Sequence, residues 1–146
     1  MLSVNDQVAT PTILHAFELP WDGTGSPDDR KALAAASSQS SGWTGAMLYA
    51  EFGGGLAPLT GSGSRRSVMG TTTAAVAAGT AHVFDRSSII EVQLASTDFT
   101  LASGQTQKLA QGFNRALLGE EIVQFAVAEH LGAGNWRLSG LLRGRG

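Results

Sequence analysis

The sequence predicts an all-β fold, an antiparallel β-sandwich or partly open barrel that carries a C-terminal β-hairpin. Three observations predict it. Short runs of alternating or β-rich residues recur along the chain, each bounded by the Gly, Pro, Asn or Asp residues that make turns. No long helical pattern competes with them. The 19 glycines in 146 residues are more than a helical bundle tolerates, because Gly inside a helix costs about 1 kcal/mol relative to Ala. A chain of this length suits one domain, residues 1–146, with a core of its own.

The first candidate strand is 12–18, with Ile13, His15 and Phe17 on one side and Leu14 and Ala16 on the other. Pro20 and the loop Asp22–Asp29 end it. Over 30–38 propensity pulls toward a helix with Asp28 or Asp29 as N-cap, although a run with one large apolar residue has little to bury as an amphipathic helix. Residues 43–52, rich in aromatic and aliphatic side chains and followed by Gly53-Gly54-Gly55, predict a strand. Segments 68–76 and 80–84 suit two more short strands. In 89–94 the alternation is clean, with Ile90, Val92 and Leu94 inward and Glu91 and Gln93 toward water. Last comes the hairpin: 122–128, a turn at Gly132-Ala133-Gly134-Asn135, and a return over 136–142. Its first arm shares Val123, Phe125 and Val127 on one face, and its second Trp136, Leu138 and Leu142.

Charge and composition exclude several functions. A formal charge of −2 lacks the clustered cations that nucleic acid requires, and the short basic spots at Arg65-Arg66, Arg137, Arg143 and Arg145 suit solvated surface better than phosphate clamps. No nucleic-acid partner is expected. The absence of Cys removes disulfides, thiolate zinc sites and thiol nucleophiles together. No stretch approaches the roughly 18 apolar residues of a membrane-spanning helix, so no membrane span is expected.

Candidate chemistry is sparse. The chain has no phosphate loop, zinc-helix motif or nucleophile elbow. His15, His82 and His130 lie far apart, each in or at the end of an expected strand. Glu120 and Glu121, with Glu129, could be read as a glycosidase pair, but neighbours in a strand point to opposite faces. The Asp22–Asp29 loop has oxygens for calcium without the spacing of a calcium hand. Trp21, Trp43 and Trp136 suit core filling better than a sugar-stacking platform. No catalytic residue, metal or cofactor is expected, and the chain is read as a non-enzyme.

The segment Gly119-Glu120-Glu121-Ile122-Val123-Gln124-Phe125-Ala126-Val127-Ala128-Glu129, followed by Gly134-Asn135-Trp136-Arg137-Leu138-Ser139-Gly140-Leu141-Leu142-Arg143-Gly144, closely resembles a hairpin signature of phage tail proteins. Those proteins occur in gene transfer agents and related prophages of α-proteobacteria. Phe17–Pro20, Gly42–Ala46 and Gly112–Leu117 match in order, so the resemblance spans 11–146. It marks Glu121, Gln124, Phe125, Trp136, Leu138, Leu141, Leu142 and Arg143 as the structural hairpin. In that family the region lies toward the C-terminus of a large baseplate or tail-hub protein, downstream of a TIM-barrel-like domain similar to glycoside hydrolases.

The resemblance implies a structural and interaction module of a tail baseplate or hub, serving particle assembly and host attachment. The expected partners are other tail proteins and flanking domains of its own chain, with a homotrimer in the assembled particle. The expected location is the particle tail, assembled in the bacterial cytoplasm. The family pattern runs on past Leu-Leu-Arg-Gly, whereas this chain ends at Gly146, which predicts a piece of a longer polypeptide whose last strand lacks a neighbour. The alternatives are a carbohydrate-binding module recognising host-surface glycan and an accessory domain of a cell-wall hydrolase.

Overall fold

The structure is a computed structural model that describes residues 10–19, 21, 25–28, 32–61, 63 and 65–144. It is all-β and antiparallel. Two separate hairpins come first, β1 (Ile13–Glu18) with β2 (Ala32–Ser37) and β3 (Met47–Phe52) with β4 (Gly55–Gly61). They are followed by β5 (Gly70–Thr72), β6 (Phe84–Leu94), the single-turn α1 (Thr106–Leu109), β7 (Arg115–Leu118), β8 (Glu121–Gly132) and β9 (Asn135–Leu142). The last five strands form one sheet in the order β5-β6-β9-β8-β7, curled into a half-barrel.

Turn chemistry explains the hairpins. Two-residue hairpin loops favour positive φ at both central positions, because that twist matches the strands they join. Gly53 and Gly54 take φ of 60° and 88° between β3 and β4, and Ala133 and Gly134 take 49° and 78° between β8 and β9. The register then sets rows across the sheet. Ile90, Leu138 and Ala128 lie in one row and Val92, Trp136 and His130 in the next on the same face, while Glu91, Arg137 and Glu129 line up on the other. A core of Ile90, Leu94, Phe99, Val123, Phe125, Trp136, Leu138 and Leu141 results.

Several elements differ from expectation. Residues 32–37 form a strand where propensity favours helix: they pair with β1 in continuous register from Ile13–Ser37 to Glu18–Ala32, and pairing overrides a weak preference in a run too short to be a stable helix. The strand expected over 80–84 is a turn that reaches only the first residue of β6, with His82 at φ 61° and its N–H donating to the Arg143 carbonyl at 2.9 Å. The 68–76 strand shrinks to Gly70–Thr72, and the 43–52 strand begins at Met47, leaving Trp43 buried in the preceding turn. Of the first hairpin arm, Val123 and Phe125 are buried but Val127 is exposed.

In the second arm Leu141 is fully buried and Leu142 only partly, the reverse of simple alternation from Trp136. Gly140 explains this. Its φ of 63° interrupts the pleat, and a Cβ there would lie 3.1 Å from Ala126 Cβ and 3.3 Å from the Phe84 ring. The last strand, expected to lack a neighbour, is instead central, paired on both sides by β6 and β8.

Candidate functional site

At the open end of the β8–β9 hairpin, β8 begins with Glu121 and β9 runs out into Arg143. Arg143 Nε and Nη2 donate to Glu121 Oε1 and Oε2 at 3.1 and 2.6 Å, a bidentate pair with the arginine side chain almost wholly buried. Nη1 donates to the Ala77 carbonyl at 2.5 Å and the Gly144 N–H to Glu121 Oε1 at 2.9 Å. The clamp thus fastens the 77–82 connection to the sheet. A side chain at Gly79 would run into the guanidinium, with a Cβ 2.6 Å from Nη1. Hydrogen bonding to Arg143, above all, holds the Glu121 carboxyl below its ordinary range.

Gln124 does comparable work three residues along β8. The amide Nε2 of the fully buried Gln124 donates to the Leu109 carbonyl at 2.7 Å and the Phe113 carbonyl at 2.8 Å, one acceptor at the end of the short helix and one in the turn before β7. On the other face Arg137 donates to Glu91 at 2.9 Å and to Glu129 at 3.4 Å, an exposed cross-strand ladder. Phe125, Trp136, Leu138 and Leu141 fill the core, and Leu142 is half-buried.

Arg66 and Arg143 correct the surface reading of the basic spots: Arg65 and Arg137 are more open, but Arg66 is largely and Arg143 almost wholly buried, while Arg145 lies outside the described residues. Arg66 reaches two other segments. Its Nη1 donates to the Ser38 carbonyl at 3.0 Å, its Nη2 pairs with Asp98, and its guanidinium sits 4.6 Å from the centre of the Phe99 ring. Ser96 Oγ donates to the Gln39 carbonyl at 2.8 Å. These contacts join the end of β2 to the loop that follows β6. An arginine in a Ser/Gly-rich stretch carries no sequence signal of such a role.

The β3–β4 hairpin exposes apolar side chains on both of its faces. Cross-strand pairing puts Met47, Tyr49, Glu51, Leu56 and Pro58 on one face, and every one of them is exposed, Leu56 at 74%. The opposite face carries half-buried Leu48, Ala50 and Ala57 together with Phe52, which is 62% exposed. Both faces of the hairpin therefore present exposed apolar side chains, contrary to the ordinary pattern of one polar and one buried face.

His15 stacks on Phe17 and exposed His130 packs against Trp136 at 4.7 Å, while His82 sits in its turn. Glu120 is exposed, and Glu121 and Glu129 are ion-paired. Of the calcium-loop candidate, residues 22–24 and 29 lie outside the described residues, and no group of three or more metal-ligating side chains occurs among those described. Trp43 and Trp136 are buried as core residues, but Trp21, expected in the core with them, is 51% exposed because it lies in the loop beyond β1. No helix among the described residues is long and apolar enough to cross a membrane.

Residues 67–146 match the family model described as Rcc01698-like, C-terminal. That span contains the whole five-stranded sheet, and the hairpins β1–β2 and β3–β4 precede it. No curated protein matches the chain.

Proposed function

The chain belongs to the Rcc01698-like C-terminal family, and on that premise we propose that it is a non-catalytic structural and interaction module of a phage-type tail baseplate or hub. The observation that carries the reading is the exposed apolar surface of the β3–β4 hairpin, where Met47, Tyr49, Phe52, Leu56 and Leu59, on both faces, are each more than half exposed. A two-stranded hairpin is marginal by itself in water, and contiguous exposed apolar patches mark interaction surfaces. The half-barrel supplies a rigid base. Its strongest ionic contacts, Glu121–Arg143 and Arg66–Asp98, hold segments of the chain together.

The resemblance of the β8–β9 hairpin to tail proteins supplies the context, with neighbouring tail proteins, flanking domains and further copies as partners in a ring, by resemblance a trimer. The glycan-binding alternative retains exposed Trp21, whereas Trp43 and Trp136 are buried. In a particle-producing host, in-frame deletion of the codons for this domain should leave heads and tail tubes without a complete baseplate, seen by negative-stain microscopy. Intact, infectious or DNA-delivering particles from the deletion strain would refute the proposal.

A further inference from the structure

We propose that Arg66 is the bolt of a releasable latch, through which the β1–β2 hairpin and the turn after it undock from the half-barrel as a unit while the half-barrel stays folded. Such a latch works whether or not the chain assembles into a tail.

Three observations support it. The half-barrel core is complete without the hairpin: every buried member, and every partly buried apolar side chain packed against them, lies between Val76 and Leu141. The hairpin is in turn closed by bonds of its own. Its register runs unbroken from Ile13–Ser37 to Glu18–Ala32, Thr10 Oγ1 and Ser38 Oγ share a hydrogen bond at 2.7 Å, and the Trp43 indole N–H donates to Thr12 Oγ1 at 3.0 Å. Among the described residues, polar contacts fasten one unit to the other. Ser96 Oγ donates to the Gln39 carbonyl at 2.8 Å, and Arg66 spans the seam, with Nη1 on the Ser38 carbonyl at 3.0 Å and Nη2 on Asp98. Beside it the Ser67 N–H donates to the Ala36 carbonyl at 2.9 Å.

Each unit therefore keeps its own interactions when the seam parts. Parting breaks a few hydrogen bonds whose groups water then satisfies, and it leaves the apolar core closed, so it costs less than complete unfolding. Charge-assisted hydrogen bonds are roughly twice as strong as neutral ones, which makes Arg66 the dominant contact of the seam. Its guanidinium also covers the Phe99 ring, 4.6 Å from the ring centre, and release uncovers that face of the ring.

Native-state hydrogen exchange of the full chain tests the latch. The Ser67 amide, which donates across the seam, should exchange about tenfold or more faster than the amides of β9, with a urea dependence shallower than theirs but above zero, the mark of sub-global opening. Arg66→Ala should speed exchange at Ser67 by a further factor of about ten, because hydrogen bonds to a charged group dominate the seam. Ile90→Val, a change confined to the half-barrel core, should speed exchange in β9 several-fold and leave Ser67 unchanged. Equal protection of Ser67 and β9 would overturn the proposal, as would a urea dependence of zero at Ser67, no effect of Arg66→Ala there, or an Ile90→Val that speeds both alike. Failure of Arg66→Ala to fold would overturn it as well, because the half-barrel would then depend on the seam.

Discussion

Arg143 reaches across the chain to Glu121 and Ala77 at once, so its removal has a definite cost. Hydrogen bonds to charged groups contribute about 1.5–3 kcal/mol. Arg143→Ala should lower the unfolding free energy by about that amount, measured by urea titration, and make the 77–82 connection exchange amide protons faster. The pH dependence follows from the carboxylate. Glu121 titrates below its ordinary value in the folded state, chiefly through the Arg143 hydrogen bond. Its stabilisation is therefore fully present above the unfolded pKa of about 4.3 and is lost as pH falls through the folded value. Asp98, lowered by Arg66, adds a loss of the same sign. Between pH 6 and pH 3 the melting temperature of the parent should fall further than that of Glu121→Gln; equal slopes would show that the clamp contributes nothing to acid sensitivity. Glu121 and Arg143 were legible as hairpin residues, but their pairing was not, because 22 positions separate them and only the hairpin register closes that distance.

Among the elements, the β8–β9 hairpin was the most readable, since a Gly-rich turn and two alternating arms carry their own signal. The misassigned side chains there trace to Gly140, whose positive φ turns Leu141 inward in place of Leu142. Gly140→Ala should cost about 1–2 kcal/mol from the left-handed backbone alone, with the approach to Ala126 and Phe84 adding to it, and chemical denaturation would measure the sum. Trp136→Ala should cost about 3–5 kcal/mol, as truncation of a buried aromatic does; a melting temperature within two degrees or so of the parent would remove Trp136 from the core. The strand at Ala32–Ser37 was unreadable for a different reason. Its alanines favour helix locally, and the partner that makes them a strand lies across a loop in β1.

At the scale of the whole molecule, the all-β class was legible from turn spacing and composition, whereas the division of labour was not. The family match covers the half-barrel, and the segment before it contributes two hairpins, one of which exposes apolar side chains on both faces. Alternation could identify which residues share a face of β3–β4 but not which face meets water, because both are apolar in sequence. Arg66 was equally silent, although it joins the end of β2 to the loop bearing Asp98 and Phe99. These features suit a module that a larger assembly completes. The most direct test is cryo-electron microscopy of phage-type particles purified from a host that expresses this chain. The account predicts the half-barrel in the baseplate or hub ring, with Met47, Tyr49 and Leu56 buried against neighbouring protein; finding the domain outside the tail, or in the ring with that face open to solvent, would contradict it.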